Sequence, residues 1–178
     1  MAKLAATETI GRLALRFLIL TAARWGEVRG ATWEEIDLED ARWTVPDGRM
    51  KAGKAHVVPL SPAALDVLRI AAVGRTGSKG EYIFPGTVGR KMSDMTLLKV
   101  LRSSYPGKMT VHGFRSSFRV WAATKARVPR EVAEAALAHT NSNKVEAAYL
   151  TTDFFDERVP LMTSWGSYLT EEAFALAA

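Results

Sequence analysis

Apolar residues recur at helical spacing near the start of the chain: Ile10, Leu13, Ala14, Phe17 and Leu18 fall on one face. The pattern predicts a helix over about residues 8–23, with Thr7 or Thr9 as its N-cap. Arg24-Trp25-Gly26 follows, and Gly26 reads as a C-terminal stop. A short helix is expected from Glu27 to near Gly30. The period then shortens. Trp33 to Leu38, Arg42 to Val45 and His56 to Pro59 read as three short antiparallel strands. Leu38-Glu39-Asp40-Ala41 is the first turn. Asp47 to Lys54, with two glycines and its basic residues, is the exposed tip between the second and third strands, and it carries Lys51.

Helical signals return at Ser61-Pro62, a capping serine followed by proline at the first helical position. This helix is expected to reach about Val73. Gly74 to Gly80 is a polar surface loop, and Tyr82 to Pro85 a short apolar piece. Ser93 is expected to cap a helix ending near Ser103, and Pro106-Gly107 marks a turn. Thr110 caps a helix carrying His112 and Arg115. Pro129 opens another that ends near His139, and Asn141 or Asn143 begins the one carrying Tyr149. From Asp153 to Ala178 the chain reads as a helical tail, with Phe155, Val159, Met162, Trp165 and Leu169 on one face. Pro160 lies inside that pattern, so the tail helix is expected to kink or start there. The fold class is α+β, mainly α-helical, with a small three-stranded antiparallel sheet in the N-terminal third.

Composition narrows the classes. The chain has 178 residues, 48% hydrophobic and 24% charged, which suits one globular domain with a full core. A net charge of +5 points weakly to a polyanionic partner, nucleic acid before membrane. The absence of cysteine excludes a disulfide scaffold and any thiolate site. His56, His112 and His139 lie far apart and form no zinc spacing, so no metal is expected. The longest apolar stretch, Phe17-Leu18-Ile19-Leu20, is far too short to span a bilayer.

The candidate chemistry is an ordered set of polar groups: Arg24, Lys51, His112, Arg115, His139 and Tyr149. Arginines hold phosphate through paired hydrogen bonds. A tyrosine can attack phosphorus, while lysine and histidine move protons, so the set suits phosphodiester chemistry without a metal. His112 and Arg115 are three apart on one side of a helical turn, close to its anion-favouring N-terminus. Each residue also has an ordinary account. Arg24 and His139 sit at helix C-termini, where cations are favoured. Lys51 suits a solvated hairpin tip, and a helical tyrosine is usually half-buried. Their joint order carries the case. Glu27 is placed to orient Arg24.

That order resembles the catalytic domain of tyrosine recombinases of the phage and genomic-island integrase type. Leu20-Thr21-Ala22-Ala23-Arg24-Trp25-Gly26-Glu27-Val28 is similar to the family's first arginine segment. Ala31 to Asp37 resembles the strand that follows, and Met50-Lys51 through Val57-Val58-Pro59-Leu60-Ser61 the lysine hairpin. His112-Gly113-Phe114-Arg115-Ser116-Ser117-Phe118 resembles the central box. Ala136-Leu137-Ala138-His139 and Val145-Glu146-Ala147-Ala148-Tyr149 resemble the last two. The resemblance covers nearly the whole chain. It departs at Trp25, where proline is frequent, at Leu150-Thr151-Thr152, where basic residues are common, and at Pro160.

The resemblance implies site-specific DNA recombination, the integration or excision of a mobile element, through a 3′-phosphotyrosyl intermediate. Tyr149 would be the nucleophile, Arg24 and Arg115 the charge-stabilising clamp, and Lys51 the acid for the leaving 5′-oxygen. His112 would shuttle the tyrosine proton, and His139 would hydrogen-bond the scissile phosphate. No cofactor and no metal are implied. Arg49, Lys54, Arg102, Lys108 and Arg119 are candidate contacts to flanking phosphates. The expected organisation is a single catalytic domain over 1–178, with a core over 1–152 and a tail over 153–178, lacking the N-terminal core-binding and arm-binding domains of relatives. The expected partner is double-stranded DNA, with a homotetramer on DNA for a full-length protein and a monomer for the DNA-free fragment. In the tetramer the tail would pack on a neighbour; the ordinary alternative is that it folds onto its own core. A cytoplasmic, bacterial or phage-encoded protein with no membrane association is implied. Competing readings are a type IB topoisomerase-like nicking-closing enzyme, an inactive DNA-binding fragment, and a serine hydrolase using Ser116 or Ser117. The last lacks a nucleophile elbow.

Overall fold

The computed structural model describes residues 1–105, 107, 109–139 and 152–175. Helix α1 spans Ala2–Ala5 and α2 spans Ile10–Thr21. Thr9 is the N-cap of α2, its hydroxyl accepting from the Arg12 amide at 3.4 Å. Gly26 does not end this helix. The chain turns at Ala22, which adopts the left-handed conformation at φ 50°, and Gly26 lies inside the next helix, α3, Trp25–Arg29. A left-handed alanine costs roughly 1 kcal/mol or more. Ala22 tolerates it in a position that is 1% exposed, where its carbonyl is needed by the site.

Strands β1 (Ile36–Asp37), β2 (Arg42–Val45) and β3 (His56–Pro59) form one antiparallel sheet in that order. Trp43 stands opposite Val58 and Val45 opposite His56. Trp43 and Val45 are buried and Arg42 and Thr44 exposed, the alternation that one covered sheet face requires. The first strand is shorter than its apolar pattern suggests. Trp33–Glu35 form a 3₁₀ turn instead. The competing partner is the apolar piece at residue 82: the Trp33 amide donates to Glu81 and the Ile83 amide to Ala31, at 3.0 and 2.9 Å.

Helix α4, Pro62–Ala71, starts as its signal requires, with Ser61 accepting from the Ala64 amide at 3.3 Å, and a 3₁₀ turn carries it to Gly74. Helix α5 (Thr96–Ser104) begins three residues after Ser93. Helix α6 spans Gly113–Trp121 with His112, not Thr110, at its N-cap; the Thr110 hydroxyl, two residues earlier, accepts from the Gly113 amide at 3.0 Å. Helix α7 spans Arg130–Ala136 and α8 Phe155–Ala175.

Helix α2 lies at the centre, against α4, α5 and α8. On the sheet side Phe17 packs on Trp43 and Phe84, with ring centroids 5.2 and 5.5 Å apart. On the tail side Trp165 meets Phe118 edge-on at 5.4 Å, and its indole N–H donates to the Ile19 carbonyl at 2.8 Å. The tail therefore folds onto its own core, also touching α4, α7 and β3. Its helix starts before Pro160 and runs through it. Its buried stripe is rotated from the expected one: Arg158, Leu161, Met162 and Trp165 face inward while Val159 is 42% exposed. Arg158 displaces Val159 from the interior because its guanidinium finds the Val57 carbonyl at 2.7 Å and the Asp153 carboxylate at 2.9 Å.

Candidate active site

Arg24 precedes the first residue of α3 and is held from two sides. Its backbone N–H and its Nη1 donate to the two carboxylate oxygens of Glu27, at 2.7 and 2.8 Å. Glu27 is 4% exposed, so this one carboxylate both caps α3 and fixes the guanidinium. The free edge of Arg24 reaches across the molecule, Nη2 donating to the Ala138 carbonyl at 3.1 Å.

Arg115 stands on the first turn of α6 and is 4% exposed. Its Nη1 donates to the Ala22 carbonyl at 2.5 Å and its Nη2 to the Leu137 carbonyl at 2.6 Å. Nη2 also lies 3.2 Å from Nε2 of His139. Burial, with Arg24 alongside, pushes the Arg115 pKa down to about 10, and Glu27 opposes this. Arg115 thus remains a cation at neutral pH, and two neighbouring cations favour an anion between them. His139 arrives by a sharp turn after α7, where Ala138 is left-handed at φ 48°. Its Nδ1 lies 2.6 Å from Glu134, and the other Glu134 oxygen accepts from Arg119 Nε at 2.7 Å.

Lys51 is exposed on the loop between β2 and β3 and lines a cleft of about 430 Å³ with Arg24, Glu27, Arg49 and Lys91. Glu27 is the single carboxylate among these five and is already paired with Arg24. The cleft is a net cationic concavity of the kind that accepts phosphate. His112 has an exposed side chain one turn before Arg115. The structure brings Arg24, Arg115 and His139 together, and Lys51 lines the cleft that Arg24 also lines. Tyr149 and Lys108 lie outside the described residues.

Two residues expected at flanking phosphates turn inward instead. Arg49 donates to the Glu27 carbonyl at 2.8 Å and pairs with Glu35. Arg119 is held by Glu134. Both are struts, because a partly buried carboxylate stands within reach of each guanidinium. Lys54 and Arg102 do face solvent. The Ser117 hydroxyl donates to the Gly113 carbonyl of its own helix at 3.2 Å, which is the placement of a structural serine.

Sequence reasoning passed over Glu134, Lys91 and His56. Glu134 could have been found from its place five residues before His139 in the same helical segment. Lys91 carries no local signal. His56 stands in β3 behind the site, and burial pushes its pKa down to about 4. Arg158 and Arg24 act in the same direction, and Glu27 and the Ala136 backbone oppose them.

Residues 1–154 match the Phage integrase family. The chain is 36% identical over 150 residues to the prophage integrase IntA of Escherichia coli (strain K12), covering 83% of this chain and 36% of that protein. It is 32% identical over 189 residues to the integrase of Enterobacteria phage P4, covering 95% of this chain and 43% of that protein. The chain thus spans roughly two-fifths of the length of these relatives. Among solved structures, the XerA recombinase superposes with a TM-score of 0.66 at 16% identity, covering 91% of this chain and 54% of that one. Among the described residues, no helix is long and apolar enough to cross a membrane.

Proposed function

The chain belongs to the phage integrase family, and from that premise we propose that it is the catalytic part of a site-specific DNA recombinase. The observation that carries the reading is the convergence of Arg24 and Arg115 on one turn. They donate to the adjacent carbonyls of Ala138 and Leu137, and His139 follows directly within reach of Arg115. A guanidinium pair fixed by internal carbonyls and Glu27 is preorganised, so it stabilises a pentacoordinate phosphorane without reorganising at the moment of reaction.

In this mechanism the Tyr149 oxygen forms a bond to phosphorus as the P–O5′ bond breaks, giving a 3′-phosphotyrosyl link and a 5′-hydroxyl. Lys51, exposed on its loop and lining the cleft with Arg24, gives its proton to the leaving 5′-oxygen. His112 takes the tyrosine proton. A tyrosine hydroxyl ordinarily titrates near pH 10, so a base and a positive field are both needed at neutral pH. Arg24 and Arg115 hold the non-bridging oxygens, and His139 joins them as a donor from Nε2 when its ring carries a second proton there. Attack by the 5′-hydroxyl of a partner strand reverses the step, and the covalent bond conserves the energy needed for rejoining. The substrate is double-stranded DNA, the working assembly a tetramer on paired sites, and the compartment the cytoplasm of a bacterial cell. Within this reading 1–152 form the catalytic core and 153–178 the tail.

The test is covalent trapping on a nicked duplex taken from the flanks of the encoding element, with unrelated duplex as control. A DNA-linked band that Tyr149→Phe abolishes supports the reading. A band that survives Tyr149→Phe removes Tyr149 as nucleophile, and DNA binding without any band makes the chain a binding module.

A further inference from the structure

Resting on the recombinase reading for its functional meaning, we propose that Glu134 is the positioning residue for His139. It sets the ring's plane and tautomer, and is itself held in place by Arg119. The geometry is a continuous relay. Arg119 Nε donates to one Glu134 oxygen at 2.7 Å, and the other lies 2.6 Å from His139 Nδ1. His139 Nε2 then faces Arg115 Nη2 at 3.2 Å. The backbone closes the same loop, the His139 amide donating to the Glu134 carbonyl at 3.0 Å.

Proton accounting fixes the tautomer. A carboxylate only accepts, so Nδ1 carries the hydrogen. A guanidinium only donates, so Nε2 of the neutral ring presents its lone pair to Arg115. Glu134 remains a carboxylate in this setting. Burial pushes its pKa up, but hydrogen bonds from Arg119 and His139 outweigh this and hold it below the usual carboxylate range. Glu134 is about a third exposed, so it can do this without the cost of a fully buried charge. The arrangement parallels carboxylate–histidine pairs elsewhere, in which the carboxylate chooses which ring nitrogen meets the substrate. Here the nitrogen so chosen is Nε2, on the side where Arg115 waits. Arg119 keeps Glu134 from rotating away, which explains why a residue of such basic character is turned from solvent. The role touches no substrate and changes no bond; it acts through His139.

Two readouts test it. The first is the tautomer of His139, read by ¹⁵N NMR of the ring at about pH 8.5, above the ordinary imidazole range, with His139→Gln identifying the signal. Wild-type protein is expected to show the Nδ1–H form. Glu134→Ala is expected to weaken that preference, with Arg115 alone left to favour it, and Glu134→Leu, which keeps the volume, serves should the alanine variant fold poorly. An unchanged Nδ1–H signal in the variants overturns the proposal. The second readout is the rate of covalent trapping on the nicked duplex. Outer carboxylates on ligating histidines are typically worth 10- to 100-fold, and a loss of about that size is expected here, with DNA affinity and thermal midpoint held. Equal loss of midpoint and rate would mark Glu134 as merely structural and overturn the proposal. If wild-type protein traps no DNA, the recombinase reading fails, while the tautomer measurement still decides the Glu134–His139 link.

Discussion

Arg115 donates to the carbonyl of Ala22 at 2.5 Å, at the residue where α2 turns left-handed. The contact joins the two arginine segments through backbone geometry. Ala22 must leave the helical conformation for its carbonyl to be free, and the same turn delivers Arg24 two residues later. The arginine pair is therefore placed by a helix end, and its second member is oriented by an acceptor that no side chain can alter.

Glu27 should be hard to replace, because it holds Arg24. Its carboxylate is 6% exposed and bonds both the backbone and the side chain of Arg24. Glu27→Ala leaves the α3 amide uncapped and Arg24 half-buried without its counter-ion. A loss of about 2–4 kcal/mol is expected from the cap and the broken pair together, moderated by the partial exposure of Arg24. Urea unfolding at neutral pH measures it; a change below the error of the midpoint would mean that Arg24 is held by Ala138 alone.

Part of the candidate site's arrangement was legible in the sequence because each segment carries local information. Ser61-Pro62 and Thr110 announce their helix starts; the Ser61 cap forms, and the Thr110 hydroxyl bonds the first amide of its helix. The order Arg24, Lys51, Arg115, His139 is a linear pattern, and the fold brings these groups to one cleft and its adjoining turn. What was not legible depends on tertiary competition. Nothing local says that Ala22 rather than Gly26 turns left-handed, because burial and the Arg115 contact decide it. Arg49 and Arg119 read as solvent-facing cations, and only the positions of Glu35 and Glu134 in space turn them inward. Arg158 occupies a buried position in the tail for the same reason, against every expectation from polarity.

Arg158 makes the second prediction. It is fully buried, bonded to Val57 in β3 and to Asp153 at the head of α8, with Phe155 stacked 5.5 Å from its guanidinium. Arg158→Ala removes this link between tail and hairpin strand, opens a cavity and strands the Val57 carbonyl. A destabilisation of about 3 kcal/mol is expected. Arg158→Met should recover part of it, since the methionine refills the volume without the hydrogen bonds. Thermal unfolding of the two variants side by side separates packing from bonding.

Gly166 lies tightly against the start of α4. A β-carbon there would lie 2.7 Å from the Ser61 hydroxyl and 2.9 Å from its β-carbon. Ser61 cannot simply rotate away, because that hydroxyl caps α4. Gly166→Ala should therefore destabilise the protein by about 1–3 kcal/mol, although alanine is the better helix former by about 1 kcal/mol. Combining Gly166→Ala with Ser61→Gly tests the cause: if the clash is responsible, the second substitution restores part of the loss, whereas additive losses would place the effect elsewhere.

His56 gives the protein an acid sensitivity whose direction follows from its surroundings. Its folded pKa is lowered to about 4, by burial first and then by Arg158 and Arg24, while an unfolded histidine titrates near 6.5. The neutral ring is the one the fold accepts. Between these values the unfolded chain binds a proton that the native state refuses, so the contribution is full above about pH 6.5 and declines as the pH falls toward 4. The whole difference is on the order of 3 kcal/mol at most. Carboxylates also begin to titrate at the lower end, so the discriminating quantity is the difference between wild type and His56→Gln. Urea midpoints measured between about pH 7.5 and 4.5 should fall more steeply for wild type than for His56→Gln. Parallel curves would show that His56 is protonated as readily in the folded protein as outside it, and that the positive ring is tolerated beside Arg24 and Arg158.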